Sequence, residues 1–313
     1  VTIPFDRRAI PAGAVESRWT AADGHPIRRI DWPAPAATKG SILFLPGRGD
    51  FYEKYLETLD HWAGQGWQVT AADWRGQAGS GRLGQDAVTG HIDDFATWVA
   101  DLAGLWSAWK AQTPGPHVLA GHSMGGHLVL RAAAEGVVDP QGLLLSAPML
   151  GFVASLLPVP VMHAAARLVK ALGDPRRPAW KWSEAPGQVP DGRADLLTHD
   201  PDRYADELWW RDHRPELVMG PGSWGWVERA YASMRLLARP DMLARVTQPV
   251  LILATDNDKL VGYGAIERAA RYLPDVERIS YGKASHHEIL READVVRDAA
   301  LAAGDTFLAR IAG

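Results

Sequence analysis

The pentapeptide Gly121-His122-Ser123-Met124-Gly125 constrains this chain more than any other feature, because of what flanks it. His117-Val118-Leu119-Ala120 before it is a short apolar run of the buried-strand kind, and from Met124 onward Leu128, Val129 and Ala132 share one helical face. A strand that becomes a helix within two residues passes through a sharp, strained turn. Side chains two positions either side of the central serine would collide there, and glycine at 121 and 125 removes both collisions. The serine hydroxyl is left projecting above the carboxyl edge of a sheet. In a chain with 31 glycines the bare pattern is weak, and the strand–turn–helix context gives it weight.

Around this turn, strand and helix patterns alternate as they do in an α/β fold, a mostly parallel sheet flanked by helices. Residues 15–20 and 27–32 form a hairpin about Asp23-Gly24, and buried-strand runs follow at 41–45, 67–72, 117–120, 142–146, 249–254 and 276–281. Helical patterns cover 51–63, 94–109, 124–135 and 264–273, with a single closing helix over 289–311. Residues 151–226 break the alternation with prolines, tryptophans and short apolar pieces. We read them as a helical cap inserted into a core made of 1–150 and 227–313. Ligands bind at the carboxyl edge of such sheets, so the cap should line the pocket. Trp224 and Trp226 near its end, and Leu156, Leu157 and Val161 near its beginning, are the expected wall for an apolar chain.

Composition removes several function classes. A net charge of −4 and a pI of about 6.3, without a basic stripe, leave no footprint for nucleic acid. With no cysteine, disulfides, thiolate zinc sites and cysteine nucleophiles are excluded, and a reducing compartment suits the chain. Residues 1–13 carry Asp6, Arg7 and Arg8 and no apolar core of signal-peptide length. The uncharged stretch 147–166 is interrupted by Pro158 and Pro160, which suits a buried or interfacial segment better than a membrane span. A cytoplasmic protein is expected, peripheral to the inner membrane through its cap.

A serine hydroxyl is nearly inert until an imidazole takes its proton, and an acid must hold the imidazole's other nitrogen. In sheets of this kind the order is serine, acid, histidine. The loop after 249–254 offers Asp256 and Asp258. Asp258 is favoured by reach, while Asp256 suits a bond within its own turn. The segment after the last strand offers His286 and His287, with no further ligands at metal spacing, so neither a metal nor a cofactor is expected. Two backbone N–H groups should meet the developing oxyanion. Met124 supplies one and Arg48, in Leu45-Pro46-Gly47-Arg48-Gly49-Asp50, the other. Two other patterns compete weakly. Gly79, Gly81 and Gly84 match a dinucleotide fingerprint without a following helix, and Ser223 lies in Pro221-Gly222-Ser223-Trp224-Gly225 with no strand before it.

The chain resembles the bacterial lysophospholipase branch of the monoacylglycerol-lipase-like hydrolases, within the α/β-hydrolase superfamily. The resemblance rests on Pro46-Gly47-Arg48 with Tyr55, on Asp73-Trp74-Arg75-Gly76-Gln77, on 90–95, on the elbow, and on Asp258-Lys259-Leu260-Val261. His287-Glu288-Ile289-Leu290 with Glu292, 200–204 and 225–227 also match. Relatives more often have histidine where Pro46 stands, and glutamine at 77 points to the lysophospholipase branch. The resemblance implies the α/β-hydrolase fold, His287 as the base, and mainly architectural roles for 73–95, with Asp93 as a helix cap. It also implies hydrolysis of lysophospholipids or monoacylglycerols, a single-chain lipid ester being the expected partner. A small-molecule carboxylesterase, a peptidase of the same fold and a non-catalytic ligand receptor are the alternatives.

Overall fold

The computed structural model describes residues 5–33, 35–153, 157–181 and 192–313. Eight strands form one sheet: β1 (Val15–Thr20), β2 (Pro26–Trp32), β3 (Ser41–Leu45), β4 (Gln68–Ala72), β5 (His117–His122), β6 (Gly142–Ser146), β7 (Val250–Ala254) and β8 (Val276–Ser280). Their order is β1-β2-β4-β3-β5-β6-β7-β8, with β2 antiparallel to both neighbours and every later pairing parallel. The central strands are buried on both faces, as parallel strands covered by helices must be. Successive side chains alternate between two cores. Leu43, Leu119, Leu143, Val250 and Ile252 face one layer, while Ile42, Phe44, Val118, Leu144 and Leu251 face the other.

The first layer holds α2 (Phe95–Lys110), α3 (Met124–Ala134) and α9 (Tyr263–Ala270); the second holds α1 (Leu56–Gly64) and α10 (Asp294–Ala312). Between β6 and β7 the chain builds α4 (Val159–Ala171), α5 (Ala194–Leu197), α6 (Pro201–His213), α7 (Trp224–Leu237) and α8 (Pro240–Leu243). Position 226 falls in the first turn of α7, which continues from the pocket into the core.

Three local expectations need correction. Residues 289–311 are not one helix. A 3-10 turn at Ile289–Arg291 precedes α10, and between them the buried Glu292 carboxylate accepts the His286 and His199 N–H groups. The cap of α2 is Asp94, which accepts from Ala96 N, whereas the Asp93 side chain is exposed and lies 3.0 Å from His91 Nε2. Residues 51–63 begin with a 3-10 turn at Tyr52–Tyr55 before α1.

Candidate active site

The elbow has the geometry its glycines require. Ser123 has φ 52° and ψ −117°, a conformation a side-chain-bearing residue seldom adopts. A Cβ on Gly121 would lie 2.7 Å from Gly125 C, and one on Gly125 would lie 2.2 Å from Leu45 O. The turn is pinned on both sides: Ser123 N donates to Ser146 O at 2.9 Å, and Met149 N donates to Ser123 O at 2.9 Å.

Strand ends on the same edge deliver the other groups. His287, after β8, has Nε2 2.9 Å from Ser123 Oγ and Nδ1 2.6 Å from Asp258 Oδ2. With the proton on Nδ1, the imidazole donates to Asp258 and accepts from the serine. Asp258 lies after β7 and also accepts from Leu260 N and Val261 N, which fixes its carboxylate. Asp256, in the same loop, is exposed. His286 turns away from the serine, stacks on His199 at 3.8 Å and lies 3.2 Å from Asn257. Burial opposes charge on His287, but the Asp258 carboxylate and its hydrogen bond raise the pKa above the ordinary histidine value. Burial likewise opposes charge on Asp258, and His287 with the two backbone donors outweighs it, lowering that pKa.

The loop after β3 runs against the nucleophile: a Cβ on Gly47 would lie 3.0 Å from Ser123 Cβ. Its shape is held by side chains. Gly47 N donates to Asp50 Oδ2 at 3.1 Å, Gly49 N to Gln77 Oε1 at 2.7 Å, and Trp74 Nε1 to Pro46 O at 2.8 Å. The Arg48 guanidinium sits between the rings of Trp180 and Trp226, 5.0 Å from each, and donates to Gly220 O. Met124 occupies the first position of α3, where a backbone N–H has no acceptor within the helix.

Above Ser123 opens a cavity of about 620 Å³. Its wall includes Phe152, Met162, Ala166 and Val169 from one side and Trp224, Trp226, Val227 and Tyr231 from α7. The expectation for α4 was partly wrong. Leu157 and Val161 are 53% and 48% exposed and point away from the cavity, whose α4 wall is built one residue on, from Met162. Leu156 lies outside the described residues. Ser223 is wholly buried and caps α7 by accepting from Trp226 N, with His91 Nδ1 2.7 Å from its hydroxyl. It resembles a second serine–histidine pair but lacks access.

Asp50, Lys54, Tyr55, His122, Gln77 and Glu288 surround the site and were not singled out as functional in the sequence. Burial and the neighbouring His287 push the His122 pKa down to about 4, so this ring beside the base stays neutral. Among the described residues, Asp50, His122 and Glu288 could converge on one cation, but Lys54 Nζ lies 2.6 Å from Asp50 and 2.5 Å from Glu288.

The sheet order, the strained serine after β5 and the histidine after β8 define a serine hydrolase of the α/β-hydrolase fold. Over residues 36–294 the chain matches the family described as serine aminopeptidase, S33, and it belongs to that family. It is 30% identical to lysophospholipase L2 of Escherichia coli K12, across 91% of this chain and 85% of the other. It is 26% identical to a monoacylglycerol lipase of Mycolicibacterium smegmatis, across 74% of each. A soluble variant of monoglyceride lipase from Saccharomyces cerevisiae, solved with a substrate analog, shares the fold with a TM-score of 0.76 at 19% identity, over 99% of both chains.

Proposed function

We propose that this hydrolase cleaves single-chain lipid esters, lysophospholipids or monoacylglycerols, through an acyl-enzyme on Ser123. His287 takes the serine proton as the hydroxyl attacks the ester carbon, and Asp258 stabilises the imidazolium that forms. The N–H groups of Met124 and Arg48 receive the carbonyl oxygen as it becomes negative. The imidazolium then protonates the leaving alcohol. Water, deprotonated by the same imidazole, releases the fatty acid.

The observation that carries the substrate class is the cavity. Its wall is mainly apolar, it includes Ser123 and His287, and it is large enough for a chain of many methylenes. A single acyl chain suits one such channel better than two. An aminopeptidase would need a carboxylate to hold the substrate's ammonium. Asp50 and Glu288, the carboxylates in the described wall, are already held by Lys54.

The test is hydrolysis of p-nitrophenyl esters of graded length, beside lysophosphatidylcholine and monoolein. Specificity should rise with chain length by about 0.8 kcal/mol per buried methylene until the cavity is filled. A flat profile would remove the lipid assignment and leave a small-ester carboxylesterase.

A further inference from the structure

The loop after β3 and the segment bearing His287 are joined beneath the site by one buried ammonium. The Lys54 side chain is 0% exposed, and its Nζ lies 2.6 Å from Asp50, 2.5 Å from Glu288 and 3.0 Å from Glu207. Those three carboxylates come from three separate parts of the chain. Asp50 closes the loop: its Oδ2 accepts from Gly47 N at 3.1 Å and from the Tyr55 hydroxyl at 2.9 Å. Glu288 directly follows His287, and its other oxygen is bound by Arg291. Glu207 belongs to α6, where Arg193, Arg211 and Arg291 also approach it.

Burying this many charges costs far more desolvation than well-packed apolar side chains would, so stability does not account for the arrangement. What it does fix is geometry. Asp50 can turn Gly47 N–H inward only while its own carboxylate is oriented, and two of the groups orienting it are Lys54 and Tyr55. Gly47 is next to Arg48, so the direction of one peptide sets that of the next. The same ammonium anchors the residue after the base.

We propose that Lys54 is a positioning residue, holding the Gly47–Asp50 loop and the His287–Glu288 segment in the geometry that stabilises the tetrahedral intermediate. This rests on the reading of Ser123 as nucleophile and of the loop N–H as oxyanion donor. Lys54 touches no substrate and moves no proton.

Lys54→Met removes the ammonium and keeps most of the stem. Rates of p-nitrophenyl butyrate hydrolysis should be measured per site titrated with a fluorophosphonate, so that unfolded protein is not counted. The expected result is a fall in kcat on the order of 10²-fold with KM little changed, since a small displacement at the oxyanion donors weakens the transition state selectively. Inhibition by an alkyl trifluoromethyl ketone, whose serine adduct carries an oxyanion, should weaken in parallel. Lys54→Arg, which restores the charge, should recover part of both. Tyr55→Phe removes a single bond to Asp50 and serves if Lys54→Met does not fold; it should weaken the ketone several-fold at constant KM. A lower melting temperature with unchanged kcat per titrated site would make the network scaffolding and overturn the proposal, as would a loss confined to KM. If the unmodified protein neither titrates nor turns over, it is the underlying catalytic reading that fails.

Discussion

Ser123 combines nucleophilic position with backbone strain, and the two can be separated by substitution. At φ 52° and ψ −117° the backbone is held where strain of about 1–3 kcal/mol is typical of a side-chain-bearing residue. Ser123→Gly should therefore raise the melting temperature while abolishing activity. Ser123→Ala should abolish activity, by roughly 10⁴-fold or more, with little gain in stability. Calorimetry on both variants, with fluorophosphonate labelling, checks this; equal melting temperatures would mean that the turn stores no strain. The pH dependence follows from His287. The imidazole must be neutral to accept the serine proton, and its pKa is raised, so kcat/KM should climb with pH through a midpoint above the ordinary histidine value of about 6.5. In Asp258→Asn the raising charge disappears and burial remains. The midpoint should then move to lower pH while the rate falls about 10⁴-fold. A midpoint that stays put would exclude Asp258 as the partner.

At the scale of elements, the proposed lipid chemistry makes α4 the expected limit on how much chain the cavity admits. Its inner side presents Met162, Ala166 and Val169 to the cavity. Val169→Trp should shorten the longest ester handled, costing about fourfold in kcat/KM per excluded carbon, while p-nitrophenyl acetate hydrolysis stays unchanged. A uniform loss across chain lengths would mean damage to the site instead. In sequence, α4 reads as a single apolar mass, because one side faces the cavity and the other is left uncovered: Leu168 and Leu172 are 61% and 74% exposed. Neither periodicity nor position near the cap's beginning says which apolar residues turn inward: Met162 lines the cavity and its neighbour Val161 is exposed. The strands were legible to within a residue or two, because β3, β5, β6 and β7 are unbroken apolar runs ending at turns. The elbow was legible for the same reason, following directly from β5, whereas the histidine segment lies past a 3-10 turn after the partly exposed β8, and only the family resemblance singled out His287 from His286. Lys54 was not. In Phe51-Tyr52-Glu53-Lys54-Tyr55 alternating charges look like a solvated surface, and only the three-dimensional meeting with Glu207 and Glu288 shows that they are buried.

At the scale of the molecule, several uncovered apolar side chains belong to the segment between β6 and β7, and two exposed ones, Trp180 and Leu260, line the cavity. Val153, Val159, Leu168, Leu172, Trp180 and Leu260 are all exposed, and no helix among the described residues is long and apolar enough to cross a membrane. Exposed apolar side chains of this kind are expected to favour contact with a lipid surface. The double variant Leu168→Glu, Leu172→Glu should bind phosphatidylglycerol-containing vesicles more weakly than the unmodified protein and lose activity on lysophospholipid carried in them. Its hydrolysis of dissolved p-nitrophenyl acetate should not change, and vesicle flotation measures the binding directly. The connection between β6 and β7 has a further consequence through α7. The first turns of this helix bring Trp224, Trp226, Val227 and Tyr231 to the cavity, and Ala230, Met234 and Leu237 lock it into the core beside α2 and α3. By contrast, α4 packs chiefly on α7. The pocket is therefore built like a bench vice with one jaw cast into the frame: α7 runs on into the core, and α4 is seated on the molecule chiefly through α7.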